Sequence, residues 1–139
     1  MGCSVNHSAS LQNLRVILNH ACRYYRIAPP KLRIYNDPDE HCFGYSESDI
    51  GEGFVRSNPH IFLNAGFHGK NMFTMLHELA HYIADYTWVG HGGHGPKFVG
   101  IFMHLLDKYK IVPSDAFRLV AKRRRVKIAG RFKPAAIRG

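Results

Sequence analysis

Two histidines four residues apart, with a glutamate directly after the first, are the side chains in this 139-residue sequence best suited to chemistry: His77-Glu78-Leu79-Ala80-His81. On an α-helix, positions i and i+4 project from one face one turn apart. Both imidazoles can then hold one metal ion, and Glu78 can reach a water beside it. The helical wheel agrees. Over 71–87, an advance of about 100° per residue gathers Thr74, Glu78, His81 and Asp85 beside His77 and puts Met72, Phe73, Leu76, Leu79, Ala80, Ile83 and Ala84 on the opposite side. A merely buried helix has no reason to sort its ionisable groups in this way.

A third ligand is expected from the segment that follows, Trp88-Val89-Gly90-His91-Gly92-Gly93-His94-Gly95-Pro96, whose four glycines permit close approach of backbone to a site. It offers His91 and His94. No glutamate occurs after Glu78, and Ala84 and Thr87 stand where the metzincin pattern has Gly and His, so those two alternatives fall away. Asp85 lies too far along the helix axis to share the metal. It is expected instead to accept the remaining ring N–H of His81. Imidazole donors select zinc over magnesium or calcium, and three of them leave a fourth position open for a water with a pKa of roughly 7. Glu78 is the expected general base. His91, Tyr45 or a backbone N–H could stabilise the oxyanion.

The two motifs together, His77-Glu78-x-x-His81 and Gly93-His94-Gly95-Pro96-Lys97-Phe98, resemble the SprT-like (Spartan-like) zinc metallopeptidases, which pair H-E-x-x-H with a downstream H-G-P-x-F. The similarity covers residues 71–98. It implies a minimal zincin-like fold, zinc ligands His77, His81 and His94, Glu78 as base and proteolysis of protein or peptide substrates, in some members proteins crosslinked to DNA. This chain has a shorter gap between its second and third histidines and no cysteine zinc ribbon. In those respects it is also similar to small stand-alone H-E-x-x-H metallohydrolases of bacteria and their viruses.

Other elements must position these groups. Leu11, Leu14, Leu18, Ala21 and Tyr25 form one helical stripe, with Ser8 or Ser10 as N-cap and Ala28-Pro29-Pro30 as a stop. Lys31–Tyr35 reads as a short strand followed by a turn at Asn36-Asp37-Pro38-Asp39, and residues 42–55 read as weak strands or a hairpin. His60–Asn64 is the strongest strand. It is expected at the sheet edge over the cleft, with free N–H and C=O groups for an extended substrate. Pro96 begins a further helix reaching about Tyr109, on which His104 should face solvent. His20 reads as a surface residue, and His41 and His60 as residues either at the surface or supporting the site from outside the ligand set. The implied fold class is α+β: a small, mostly antiparallel sheet packed on helices.

Composition limits the rest. A chain of this length that is 45% hydrophobic forms one domain, expected over 1–121, and has no apolar run able to span a membrane and no secretory signal. Three cysteines without a C-x-x-C pair read as ordinary thiols in a reducing, cytoplasmic compartment. Residues 108–139 hold 11 Lys/Arg and one acidic residue, while the remainder is nearly neutral. The tail, 122–139, is therefore the expected contact for nucleic acid or an acidic protein, through Lys122, Arg123, Arg124, Arg125 and Lys127. The competing function is a noncatalytic zinc-containing module that binds nucleic acid or protein through this tail.

Overall fold

The first helix, α1 (Leu11–Tyr25), starts where Ser10 Oγ accepts from the N–H of Asn13 at 3.1 Å. It buries Leu14, Leu18, Ala21 and Tyr25 of the expected stripe and adds Cys22, while Leu11 is only partly buried. It stops before the prolines are reached. Arg26 takes a left-handed conformation, and the N–H of Ile27 returns to the carbonyl of Cys22 at 3.0 Å, closing the helix end. The computed structural model describes residues 8–47, 50–51, 54–55, 58–87 and 94–111. The domain boundary expected at 121, His91 and the basic tail lie outside the described residues.

The architecture is α+β. Strands β1 (Lys31–Tyr35), β2 (Gly44–Glu47) and β5 (His60–Asn64) form a mixed sheet in the order β1-β5-β2. β3 (Ile50–Gly51) and β4 (Phe54–Val55) make a separate two-stranded hairpin. β1 runs parallel to β5 and β2 antiparallel to it, so the sheet is half parallel rather than mostly antiparallel. A second expectation is also corrected. β5 is the central strand, with its backbone groups engaged on both sides, and β1 and β2 are the edges, β2 being the one beside the polar side of the helix Met72–Thr87. Periodicity marks the faces of a strand but not its neighbours, and the most apolar strand goes where both flanks are covered.

Helix α2 (Met72–Thr87) follows β5 through a short 3-10 turn (Ala65–Phe67). Asn71 caps it, with Oδ1 accepting from the N–H of Thr74 at 2.7 Å and Nδ2 donating to the carbonyl of His68 at 2.6 Å. Gly69 is required just before the cap, because a Cβ there would run into the carbonyl oxygen of Phe43. α2 packs against α1, β2, β5 and α3 (Pro96–Tyr109), so its polar arc is not open to solvent. Thr74 and Glu78 are buried along with Leu76, Leu79 and Ile83, and His77, His81 and Asp85 are half-buried. α3 begins with Pro96 in its first turn and ends at a left-handed Lys110. Its inner side, including Phe98, Ile101, Phe102 and Leu105, completes the core. Among the described residues no helix is long and apolar enough to cross a membrane.

Candidate metal centre

The helical spacing of His77 and His81 brings their rings to 4.9 Å between centroids, and the turn before α3 delivers His94 to the same point. One ligand-capable atom from each of the three lies within 4.8 Å of the others. The nitrogens converge. His94 Nε2 is 3.0 Å from His81 Nε2 and 3.2 Å from His77 Nε2. The edge of a zinc-centred tetrahedron of nitrogens is about 3.3 Å, given zinc–nitrogen bonds of 2.0–2.1 Å, so the spacing fits a shared cation. A proton fits it less well, because one N–H on His94 can point at only one of the two facing nitrogens.

The tautomer of His77 follows from its neighbour. Glu78 Oε2 lies 2.9 Å from His77 Nδ1, so an N–H at Nδ1 donates to the carboxylate and the Nε2 lone pair is left for a metal. His94 is exposed as a residue, yet its ring sits against His77, His81 and Phe98. Burial of the ring, then the neighbouring His77, pushes its pKa below the ordinary histidine value, with Glu78 pulling the other way. It is thus held neutral, the form that binds metal.

Phe98 is the floor of this centre. Its ring stacks on His81 at 4.2 Å, meets His94 edge-on at 4.8 Å and His77 edge-on at 5.3 Å, and is 2% exposed. Phe102 continues the floor beneath His77 at 5.2 Å and leads on to Phe73. Four residues after His94 and on the buried side of α3, Phe98 can be placed by spacing, but its contact with all three imidazoles depends on how α3 crosses α2.

An open cleft of about 410 Å³ adjoins the imidazoles. One wall is α2, with Phe73, Thr74, His77 and Glu78, and the other is the segment 41–44 that leads into β2. Glu78 is 7% exposed and lines this cleft. The opposite wall is held from behind by Asn64, which is fully buried. Its Oδ1 accepts from the N–H groups of Asp37 at 2.9 Å and Gly66 at 3.0 Å, and its Nδ2 donates to the carbonyls of Asp37 at 2.9 Å and Glu40 at 3.2 Å. Asn64-x-Gly66 is a turn signal in the sequence, but the partners at 37 and 40 are not. Gly44 lets β2 lie close against β5, since a Cβ there would stand 2.5 Å from the carbonyl oxygen of Phe62.

Several expected residues stand apart from this centre. Tyr45 projects to the far face of the sheet and stacks on Phe62 at 4.7 Å, so it cannot serve an oxyanion in the cleft. Asp85 follows His81 by one turn, half-buried, and is not a member of the ligand group. His41, expected at the surface or beside the site, is exposed, lines the cleft and stacks on Phe67 at 5.1 Å. Cys42 also lines it and donates from Sγ to the carbonyl of Gly44 at 3.1 Å. Cys22 is buried, which pushes its thiol up to about 12, and both thiols are free. No family model, curated protein or solved structure matches this chain, and the geometry above is what bears on its function.

Proposed function

We propose that this chain is a zinc-dependent metallopeptidase of the SprT-like kind, in which His77, His81 and His94 hold the metal and Glu78 is the general base. The observation that carries the proposal is the convergence of three Nε2 atoms at 3.0–3.2 Å beside a buried carboxylate that opens onto a cleft. Zinc in such a site supplies Lewis acidity and brings the pKa of a water down to roughly 7. Glu78 Oε1 and Oε2 take the proton of the attacking water and pass it to the leaving amine. The hydrogen bond from His77 Nδ1 fixes the carboxylate in orientation until then. Phe98 and Phe102 exclude water from beneath the imidazoles.

An extended substrate fits along β2, the outer strand nearest the cleft. Phe43, Tyr45 and Glu47 direct their backbone groups toward β5, so those of Ser46 face outward, free to pair with a peptide. A closed structural site is the competing reading. It needs a fourth protein ligand and no base, whereas the ligand group among the described residues has three members and a carboxylate at its side.

Glu78→Gln tests the catalytic half. The amide oxygen still accepts from His77 Nδ1 but cannot take a proton, so zinc and fold should be kept. Cleavage in a peptide-library or self-cleavage assay should fall by roughly 10²–10⁴. Cleavage at the wild-type rate rules out the base. A protein that binds no zinc rules out the site.

A further inference from the structure

The sheet face turned away from α2 carries a set of side chains that the metal centre does not use. Alternation sends Leu32, Ile61 and Leu63 into the core and leaves Lys31, Arg33, His60, Phe62 and Tyr45 on the other side. The register lines them up in rows. Arg33 lies opposite Phe62, which lies opposite Tyr45, and in the next row Lys31, His60 and Glu47 are aligned. His60 and Phe62 are stacked at 5.6 Å and 18°, and Phe62 and Tyr45 at 4.7 Å and 21°. The three rings form a near-parallel column, and Tyr45 at its end is 40% exposed.

A second observation meets the first at β1. A cleft of about 290 Å³ runs between α1 and β1, rimmed by Arg15, Asn19, Lys31 and Arg33 over a floor of Leu18 and Leu32. None of the side chains lining it is acidic. From residue 1 to residue 36 the sequence has five Lys/Arg and no Asp or Glu, so the near-neutral total of residues 1–107 conceals a cationic edge. Folding brings Arg15 and Arg33 together; their separation in the chain hides the patch from a search for charge runs. The tail is therefore not the only dense positive region.

We infer that this face binds single-stranded nucleic acid. Phosphates lie along the cationic cleft at the β1 edge, where three cations and an amide N–H suit a phosphodiester. Bases extend across the sheet and prolong the ring column at Tyr45, since every base has a π-face and aromatic stacking tolerates any sequence. The Glu47 carboxylate at the far corner accepts from exocyclic amino groups, as acidic side chains do with cytosine. A duplex keeps its bases stacked on one another and has none to offer the column. An acidic peptide would satisfy the cations but leave the rings unused and meet Glu47 with like charge. The inference is independent of the metal centre, which lies on the α2 side of the sheet while these side chains occupy the other face.

The test uses the full-length chain, fluorescence anisotropy, and labelled oligothymidylate alongside a duplex of equal length. Tyr45→Ala should weaken the single strand roughly tenfold or more while leaving duplex affinity unchanged. Arg33→Gln should make the log–log salt dependence for the single strand shallower by roughly 0.7, the loss of one phosphate contact. Ultraviolet crosslinking of oligothymidylate to the wild-type chain should place adducts within 42–47 or 60–64, a readout that needs no variant. Unchanged single-strand binding by both variants overturns the inference. So do adducts confined to 112–139, and so does polyglutamate that competes as well as oligothymidylate.

Discussion

The two walls of the cleft are built by different means. The helical wall and the imidazoles above it arise from neighbours in the chain: i and i+4 spacing on α2, a proline-started turn into α3, and an aromatic ring four residues after the third histidine. The strand wall, 41–44, stands where it does because Asn64 at the end of β5 reaches back to the backbone of Asp37 and Glu40. The convergence of the imidazoles therefore depends on local geometry and cleft shape on long-range hydrogen bonds. The two should fail separately.

The sharpest break falls on the helical side. His81→Ala or His94→Ala should take zinc from about one ion per chain to near zero after dialysis, measured by inductively coupled plasma spectrometry, because two imidazoles do not hold zinc tightly. His91→Ala should retain most of it. Equal losses from His91→Ala and His94→Ala would bring the loop before α3 into the centre and undo the division between the walls.

On the strand side, Asn64→Ala removes four hydrogen bonds at a fully buried position and should cost about 3 kcal/mol in urea unfolding. The protein that remains folded should still bind zinc. If zinc and stability are lost together in proportion, the walls are a single cooperative unit.

These differences trace how much could be read from the chain alone. Lys31–Tyr35, His60–Asn64 and the start of α3 at Pro96 were legible because alternation and proline chemistry act within a few residues. The grouping of His77 with His81 was legible for the same reason. The central place of β5, the support from Asn64 and the floor made by Phe98 were not, since each depends on which distant segments become neighbours. His104 illustrates the limit. Its wheel position points away from the apolar stripe of α3, yet α1 packs over it, placing Tyr24 at 5.5 Å and Tyr25 at 5.7 Å.

That burial gives the smallest of the expected effects. Burial first and Lys108 second lower the pKa of His104 from the usual 6.5, with Asp107 opposing. The folded chain thus resists the proton that the unfolded chain accepts. Stability should be full above about 6.5 and fall as the pH drops from there toward the lower folded value. Urea midpoints for wild type and His104→Asn, compared at about pH 7.5 and about pH 5.5, should diverge at the acid end, the variant losing less. The comparison cancels any acid-driven loss of metal, which both proteins would share. Parallel declines would leave the ligand histidines as the whole cause.

The parallel pairing of β1 with β5 also sets an order of events during folding. Lys31 meets His60 and Tyr35 meets Asn64, so the chain between the strands must close into a loop before the ladder gains a single bond. α2 and α3, joined by a short connection, gain their mutual contacts without that entropic delay. A refolding chain therefore assembles its imidazoles ahead of its sheet. Zinc uptake should register in stopped-flow experiments as an early phase, followed by a slower one in which β5 is enclosed and the second wall arrives.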